Sequence, residues 1–372
     1  MSMFDGAQDI NIRGGHFSIV MGNVFYELQN DGQQIFPEPK PVPKPTHIFK
    51  ETSKLTQPGY SPDGAVFSDD GIRVVAVSCK DPTVLIWAVE STTEIVLKDS
   101  PLSHRLTEDP SSWASFALLS PDGKRVALGP ISVARPHTLG FVERVTTANA
   151  ITLWDSVTGT VSRLKDDAGP FEYAAFSPRG DKLVTGSYHY IRIWDLLSQD
   201  EGVQGIGHFG AIFPVAFSPD GKWVASVGSY DKRILIWDAE TVVLEYGPHT
   251  EYSQEMKADV KTLAFSPDGS RLAVGFEDGK IILMEVETGV IISQLMHFMG
   301  HAAWITCIVF SRDGKWMVSS SRDMSIRVWN VDTGLPISKP LKGHTGAVLT
   351  VADEKKIISS SQDDTIRVWS LQ

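Results

Sequence analysis

Apolar and polar residues alternate along this chain in short runs, with the period of two of a β-strand rather than the 3.6 of a helix. In the stretch from Lys222 to Trp237, KWVASVGSYDKRILIW, strand-forming residues alternate and no stripe at i, i+3, i+4 runs through it. Seven such stretches close on a bulky apolar marker, at Trp87, Trp154, Trp194, Trp237, Met284, Trp329 and Trp369. Six follow a run ending in a turn signature: FSDDG at 67–71, LSPDG at 119–123, FSPRG at 176–180, FSPDG at 217–221 and 265–269, and FSRDG at 310–314. The seventh has Thr350–Lys355 in that place. Pro-Asp-Gly suits a tight hairpin because proline presets φ, aspartate bonds local backbone and glycine accepts positive φ. The pattern therefore predicts a series of small antiparallel sheets. One such sheet has two apolar faces and cannot cover both, whereas a radial array can, leaving only short outer edges.

From Trp154 onward the markers are 40, 43, 47, 45 and 40 residues apart, and the first step, Trp87 to Trp154, is 67. A period of about 40 to 45 residues with a Trp-Asp pair is that of a propeller blade. Independent elements agree: LWD at 153–155, IWD at 193–195 and 236–238, VWN at 328–330, and Gly-His with its glycine at 207, 300 and 343. On these residues the sequence resembles the WD-repeat (WD40) β-propeller family over residues 46–372. The resemblance implies an all-β fold, a seven-bladed β-propeller of four-stranded antiparallel sheets in one domain. In that family the marker tryptophan lies on the third strand of a blade and a fourth strand follows. After Trp369 come Ser370, Leu371 and Gln372, so the last blade is expected to take its outer strand from upstream; an open edge would expose unpaired backbone groups. Residues 46–55, THIFKETSKL, are the expected donor, with Val24–Leu28 as the alternative.

Ser, His and Asp recur in three sets: His208, Ser229, Asp231; His301, Ser321, Asp323; and His344, Ser361, Asp363. In each set the serine precedes the aspartate by two residues, and the aspartate precedes Trp237, Trp329 or Trp369 by six. Three copies at one register are a property of the repeat. A nucleophilic site needs one exposed serine beside an oxyanion hole, and nothing like a GxSxG elbow occurs. The family resemblance implies instead that indole, hydroxyl, imidazole and carboxylate form a buried hydrogen-bonded chain tying three strands of a blade. The other repeats keep less: Asp81 and Trp87 with Cys79 at the serine position, Trp154 alone, Ser187 with Trp194, and Asp278 with Met284. Stability is expected to concentrate in the fourth, sixth and seventh blades.

Three insertions break the spacing: Lys98–Ser112, Pro130–Ala150 and Gly247–Asp259. By family geometry they emerge on the face carrying the His and Asp residues, the top, and loops on a rigid scaffold are where recognition concentrates. Counting in register adds Trp113 and Trp304, three residues after the His position, and Lys80, Tyr230, Glu277, Arg322 and Gln362, immediately before the Asp position. Of these, Trp113, Tyr230, Trp304, Arg322, Lys80 and Gln362 are the candidate partner-binding residues of the top face, since Trp, Tyr and Arg dominate binding interfaces.

Charge narrows the partners. With 45 acidic residues against 34 Lys and Arg the 372-residue chain carries a net charge of −11, which argues against a general binder of nucleic-acid phosphates. No apolar run reaches the roughly 18 residues of a spanning helix, and the N-terminus lacks a secretory layout, so an intracellular protein, cytoplasmic or nuclear and without membrane contact, is expected. Cys79 and Cys307 lie inside apolar runs and are expected as buried free thiols. No metal spacing or phosphate loop stands out, and no cofactor or catalytic residue is expected. PEPKPVPKP at 37–45 reads as a polyproline II spacer between a flexible or self-associating segment, 1–36, and the propeller, 46–372. Residues Phe4 to Phe25 are similar to a short Gly/Asn-rich N-terminal segment of some fungal multidomain proteins and alternate in a way suited to stacking with copies of themselves. These readings converge on a non-catalytic scaffold that docks a protein or peptide on its top face, with residues 1–36 as a second contact. The alternative is a propeller enzyme or small-ligand sensor using the channel, against which the innermost runs AAFS, VAFS, TLAFS and CIVFS are apolar and small. A related scaffold reading is a ubiquitin-ligase substrate receptor or a transcriptional co-repressor subunit.

Overall fold

The computed structural model describes residues 16–21, 24–29, 40–41, 49–56, 64–67, 73–77, 83–91, 96–97, 102–105, 112–114, 116–136, 142–146, 150–155, 158–165, 171, 173–198, 202–246, 258–295, 300–352 and 356–371. The chain divides into two compact units, Met1–Thr46 and His47–Gln372. In the first, His16–Met21 and Val24–Gln29 form a hairpin with Met21 opposite Val24, and Lys40–Pro41 adds a two-residue strand beside Val24 and Phe25. Two residues of the stretch read as a spacer thus pair as a strand.

Among the described residues the second unit holds strands and turns and no helix. Named by its marker, the Met284 sheet runs Val260–Phe265, Arg271–Phe276, Ile281–Glu285, Ile291–Leu295, and the Trp329 sheet Ile305–Phe310, Trp316–Ser321, Ser325–Asn330, Leu341–Lys342. The Trp154 sheet runs Ala117–Leu119, Arg125–Leu128, Ala150–Asp155, Val161–Lys165. The Trp194 and Trp237 sheets are joined by one long strand, Val203–Phe217. Its first half pairs with Tyr188–Asp195 as the outer strand of one sheet, and its second half pairs with Trp223–Gly228 as the inner strand of the next. In the Trp87 sheet, Thr83–Ser91 is bordered by two pieces, Val96–Leu97 and Leu102–Arg105. The insertion at 98–112 is therefore in part an outer strand rather than a loop. The insertion at 130–150 is likewise built: Ile131–Pro136 and Val142–Thr146 form a hairpin, and Ser112–Ala114 pairs along it.

The innermost strands follow one another in chain order: Gly64–Phe67, Ala117–Leu119, Tyr173–Phe176, the second half of Val203–Phe217, Val260–Phe265, Ile305–Phe310 and Val348–Ala352. The last lies beside the first, so the sheets form a closed propeller-like ring.

The turn signatures work as their residues suggest. Ser120 Oγ donates to Asp122 Oδ1 at 2.5 Å and Gly123 N–H to the Ser120 carbonyl at 2.8 Å. The same backbone closure recurs at Gly180, Gly221, Gly269 and Gly314, and these five glycines have φ between 67° and 73°, the left-handed region open to glycine at little cost. The aspartate after the marker bends the chain toward the outer strand: Asp238 Oδ1 accepts the N–H groups of Glu240 and Thr241 at 3.0 and 2.7 Å, and Asn330 does this for Thr333 at 2.8 Å.

In the Trp237 sheet both faces are covered, which is why its marker strand reads as an unbroken apolar run. In Ile234–Asp238, Leu235 and Trp237 pack with Val184, Ile191 and Ile193 of the Trp194 sheet, while Ile234 and Ile236 pack with Leu263, Phe265 and Leu272 of the Met284 sheet. Trp329 likewise packs with Ala273, Ile281 and Leu283 of the sheet before it. Burying each such side chain stabilises by about 1.5–3 kcal/mol before conformational entropy is counted.

The expected closing strand is present, shifted by a few residues. Phe49–Thr56 pairs antiparallel with Thr365–Leu371, from Leu371 opposite Phe49 to Thr365 opposite Thr56. The alternative donor, Val24–Leu28, lies instead within the hairpin of the first unit. Phe49 meets the Trp316 ring edge-on at 5.9 Å, and Arg367, 8% exposed, donates through Nη1 to Glu51 Oε2 at 2.5 Å. Gly343 makes room for this pair, since a Cβ there would lie 2.6 Å from Arg367 Nη1. Replacing Glu51 by alanine leaves a buried guanidinium without its carboxylate and is expected to cost about 1–3 kcal/mol. Urea unfolding checks the value, and hydrogen exchange should show faster opening across Thr365–Leu371 than across Ile281–Glu285.

Candidate functional site

Among the described residues three buried chains of hydrogen bonds run through the ring. In the Trp237 sheet, Trp237 Nε1 donates to Ser226 Oγ at 2.7 Å, Ser226 Oγ lies 2.8 Å from His208 Nε2, and His208 Nδ1 lies 3.0 Å from Asp231 Oδ2. In the Trp329 sheet the chain is Trp329, Ser319, His301, Asp323, at 2.8, 2.8 and 2.9 Å. In the last sheet it is Trp369, Ser359, His344, Asp363, at 2.9, 2.8 and 3.1 Å. An indole only donates and an ionised carboxylate only accepts, so with neutral imidazole the proton order follows: Trp N–H to serine, serine O–H to Nε2, and Nδ1–H to the carboxylate. Each carboxylate also accepts the N–H of the residue after its histidine, Phe209, Ala302 or Thr345, which ties the inner strand to the turn.

The expected histidines, aspartates and tryptophans are all in place, but the expected serines are not the bridging ones. Ser226, Ser319 and Ser359 fill that role instead of Ser229, Ser321 and Ser361. The reason is strand register. Trp237, Trp329 and Trp369 sit opposite Val224, Met317 and Ile357, and the bridging hydroxyl is two residues further along, on the same face. Ser321 and Ser361 lie a further two residues on, at the turn. Ser321 Oγ donates to the Ala303 carbonyl at 3.0 Å and accepts from Asp323 N–H, while Ser361 Oγ accepts from Asp363 N–H. Ser229 Oγ has no hydrogen-bond partner among the described residues. In the Trp194 sheet the same register selects Thr185, which accepts from Trp194 Nε1 at 3.1 Å, rather than Ser187. Two further groups were not anticipated: Ser325 and Thr365 hydroxyls donate to Asp323 and Asp363 at 2.7 and 2.5 Å.

The electrostatics suit a structural tie. Burial pushes the carboxyls of Asp231, Asp323 and Asp363 up, but donors outweigh it and hold all three below the ordinary value of 3.8, Asp363 at about 2. The leading donor is the His208 imidazole for Asp231, the His301 imidazole for Asp323 and the Thr365 hydroxyl for Asp363. Burial also holds His301 and His344 below the ordinary 6.5, against the pull of their aspartates. Ser226, Ser319 and Ser359 are fully buried.

Around the His–Asp end of the ring a second cluster reaches the surface, with Tyr230 and Arg322 exposed and Lys261 and Trp304 half-buried. Tyr230, next to Asp231, is 72% exposed, and its ring lies over Gly210, where any Cβ would stand 2.0 Å from Tyr230 Cδ2. Lys232 pairs with Asp259; Lys261 Nζ lies 3.6 Å from Asp259 Oδ2 and 2.9 Å from Glu277 Oε2. Lys261 Nζ is 4.5 Å from the centre of the Trp304 ring and 6.0 Å from that of Phe213. The Arg322 guanidinium stacks on Trp304 at 3.8 Å, and Arg322 N–H donates to the Trp304 carbonyl at 3.0 Å.

Tyr230, Trp304, Arg322 and Glu277 thus join one surface across three consecutive sheets. Gln362 is exposed, with its N–H bonded to the Ala347 carbonyl. Trp113 pairs opposite Ser132 on the strand bordering the second insertion's hairpin. Lys80, and residues 247–257 of the third insertion, lie outside the described residues. Register counting missed Asp259 and Lys261 because the insertion displaced the count. Strand pairing restores it: Asp259 precedes Val260 as Trp304 precedes Ile305, each at the start of an inner strand. Cys307 is half-buried rather than buried as expected; Cys79 lies outside the described residues. Among the described residues no group of three or more His, Cys, Asp or Glu is arranged to hold a metal ion.

A closed ring of antiparallel sheets, with marker tryptophans locked through serine to a His–Asp pair, defines a β-propeller of repeated units. The chain belongs to the WD-repeat family: residues 169–195, 203–238, 292–330 and 335–370 match the WD domain, G-beta repeat, and residues 249–300 match the anaphase-promoting complex subunit 4 WD40 domain. It is similar to apoptotic protease-activating factor 1 of Mus musculus, 25% identical across 72% of this chain and 23% of that protein. It is also similar to guanine nucleotide-binding protein subunit beta-1 of Drosophila melanogaster, 30% identical across 39% of this chain and 41% of that one. A third relative is target of rapamycin complex subunit LST8 of Saccharomyces cerevisiae, 23% identical across 53% of this chain and 78% of that one. The chain thus spans well under half the length of the first two.

Two measurements test the hydrogen-bonded chains. Ser319→Ala leaves both the Trp329 indole and the His301 imidazole without their shared partner and is expected to cost about 2 kcal/mol or more, against about 1 for Ser321→Ala; parallel urea titrations decide between them. Stability should also fall with acid in two stages. His301 and His344 titrate below 6.5 when folded, so their contribution is full above that value and declines as the unfolded chain takes up protons below it. The aspartates titrate below 3.8 when folded, so theirs is full above 3.8 and is lost as pH falls through their folded values. Urea midpoints should be flat above about pH 7, drop toward pH 5 and drop again below pH 4.

Proposed function

We propose that this chain is a non-catalytic interaction scaffold, a seven-bladed propeller that docks a protein or peptide segment at its His–Asp end, the top face. The observation that carries this reading is the surface cluster of Tyr230, Lys261, Trp304 and Arg322, in which Tyr230, Trp304 and Arg322 stand on sheets tied by the buried networks. Aromatic and arginine side chains on a stiff support are the groups that most often dominate a binding energy. The Ser–His–Asp sets give no nucleophile: each bridging hydroxyl is buried and already bonded to an indole and an imidazole. Two of the similar proteins are named as subunits of assemblies, which favours a binding role. Residues 1–36 supply a second contact in this reading.

Partner capture from native extract tests it. A Trp113, Tyr230, Trp304 triple-alanine variant whose melting matches the wild type should lose the partners that the wild-type chain retains. Capture of the same partners by both would move docking away from the top face.

A further inference from the structure

We infer that the top-face cluster recognises an acidic peptide segment, with an Asp or Glu carboxylate seated on the Arg322 guanidinium. This rests on the docking reading above and names the chemistry of what docks. The cluster is a ladder of charges across three sheets: Lys232, Asp259, Lys261, Glu277, then Trp304 with Arg322 stacked on its ring. It holds three cations against two carboxylates. Lys232 is spent on Asp259, and Lys261 on Asp259 and Glu277. Arg322 is exposed and makes no ion pair among the described residues. Its charge is the one the ladder leaves open.

The geometry adds direction to that charge. A guanidinium centred 3.8 Å from a ring centroid rests against the indole and is wider than that contact, so N–H groups at its rim remain for an incoming acceptor. A carboxylate meets that fork with two parallel hydrogen bonds. Lys261 Nζ lies 4.5 Å from the same ring, so two like charges share one indole, and an incoming anion relieves their repulsion. The chain as a whole carries a net charge of −11, so an acidic segment is turned away from most of the protein and guided to this patch. Tyr230, at the far end of the ladder, offers an exposed aromatic face for an apolar residue of the same segment.

Fluorescence anisotropy of a fluorescein-labelled hexaglutamate peptide at low salt, titrated with the full chain, tests the inference. Saturable binding is expected, suppressed by salt and absent for hexalysine. Arg322→Gln should weaken it about tenfold or more, Arg322→Lys by less, and Glu277→Gln, which leaves Lys261 with only its longer pairing to Asp259, should strengthen it; each variant is first matched to the wild type by melting. No binding of hexaglutamate, unchanged affinity in Arg322→Gln, or binding of a phosphoserine peptide alone would overturn the proposal. If the triple-alanine variant loses its captured partners while hexaglutamate fails to bind, docking on the top face stands and the acidic class falls. If hexaglutamate binds as described and the triple-alanine variant keeps its partners, the acidic site stands and the docking reading falls.

Discussion

A sheet with two apolar faces is stable only when both are covered, and in a ring that condition has to hold for every sheet at once. The seam between the two ends of the propeller is therefore the constraint on which the other interfaces depend. Pairing of Phe49–Thr56 with Thr365–Leu371 closes it, giving the last sheet its outer strand and bringing Phe49 onto Trp316 of the sheet before. Without that strand the edge at Thr365–Leu371 would present open backbone groups, and Arg367 would be buried without Glu51. Gly343, in the last Gly-His pair, shows how tightly the seam is built.

The polar chains solve a second problem, that of orienting strands inside an apolar stack where oily contacts alone allow sliding. One serine oxygen accepts from an indole on the third strand and donates to an imidazole that reaches from the start of the inner strand, so a single hydroxyl fixes the relative position of three segments. The Met284 sheet departs from this pattern. The residue two along from the marker's partner is Val274, fully buried, and the marker itself has no indole to donate. That sheet exchanges an orienting polar contact for plain burial, and Met284, unbranched and pliable, suits such a site.

Most of the ring could be read from the chain because its signals are local. The turn glycines, the Trp-Asp pairs and the alternating runs each act within a few residues, and the closing strand followed from counting strands after Trp369. What escaped was whatever depends on pairing across strands. Ser321 and Ser319 are equally plausible in a run of three serines, and only the pairing of Trp329 with Met317 separates them. A sharper signal was present: Ser226, Ser319 and Thr185 each stand five residues after the turn glycines Gly221, Gly314 and Gly180. At the surface, Tyr230, Trp304 and Arg322 were found by register, whereas Lys261 and Asp259 lie beyond an insertion of irregular length. The insertions at 98–112 and 130–150 were read as loops because their strands pair only with distant or newly added partners.

One long strand, Val203–Phe217, belongs to two sheets at once. Its first half carries Val203 and Ile206, 50% and 76% exposed at the outer rim, and its middle carries His208, which is buried and bonded to the turn that bears Tyr230 and Lys232. A load applied at the rim reaches that turn through two peptide bonds and one imidazole, with no flexible linker between. These two sheets are coupled through one continuous strand, with one end at the circumference and its middle beneath the surface that carries Tyr230.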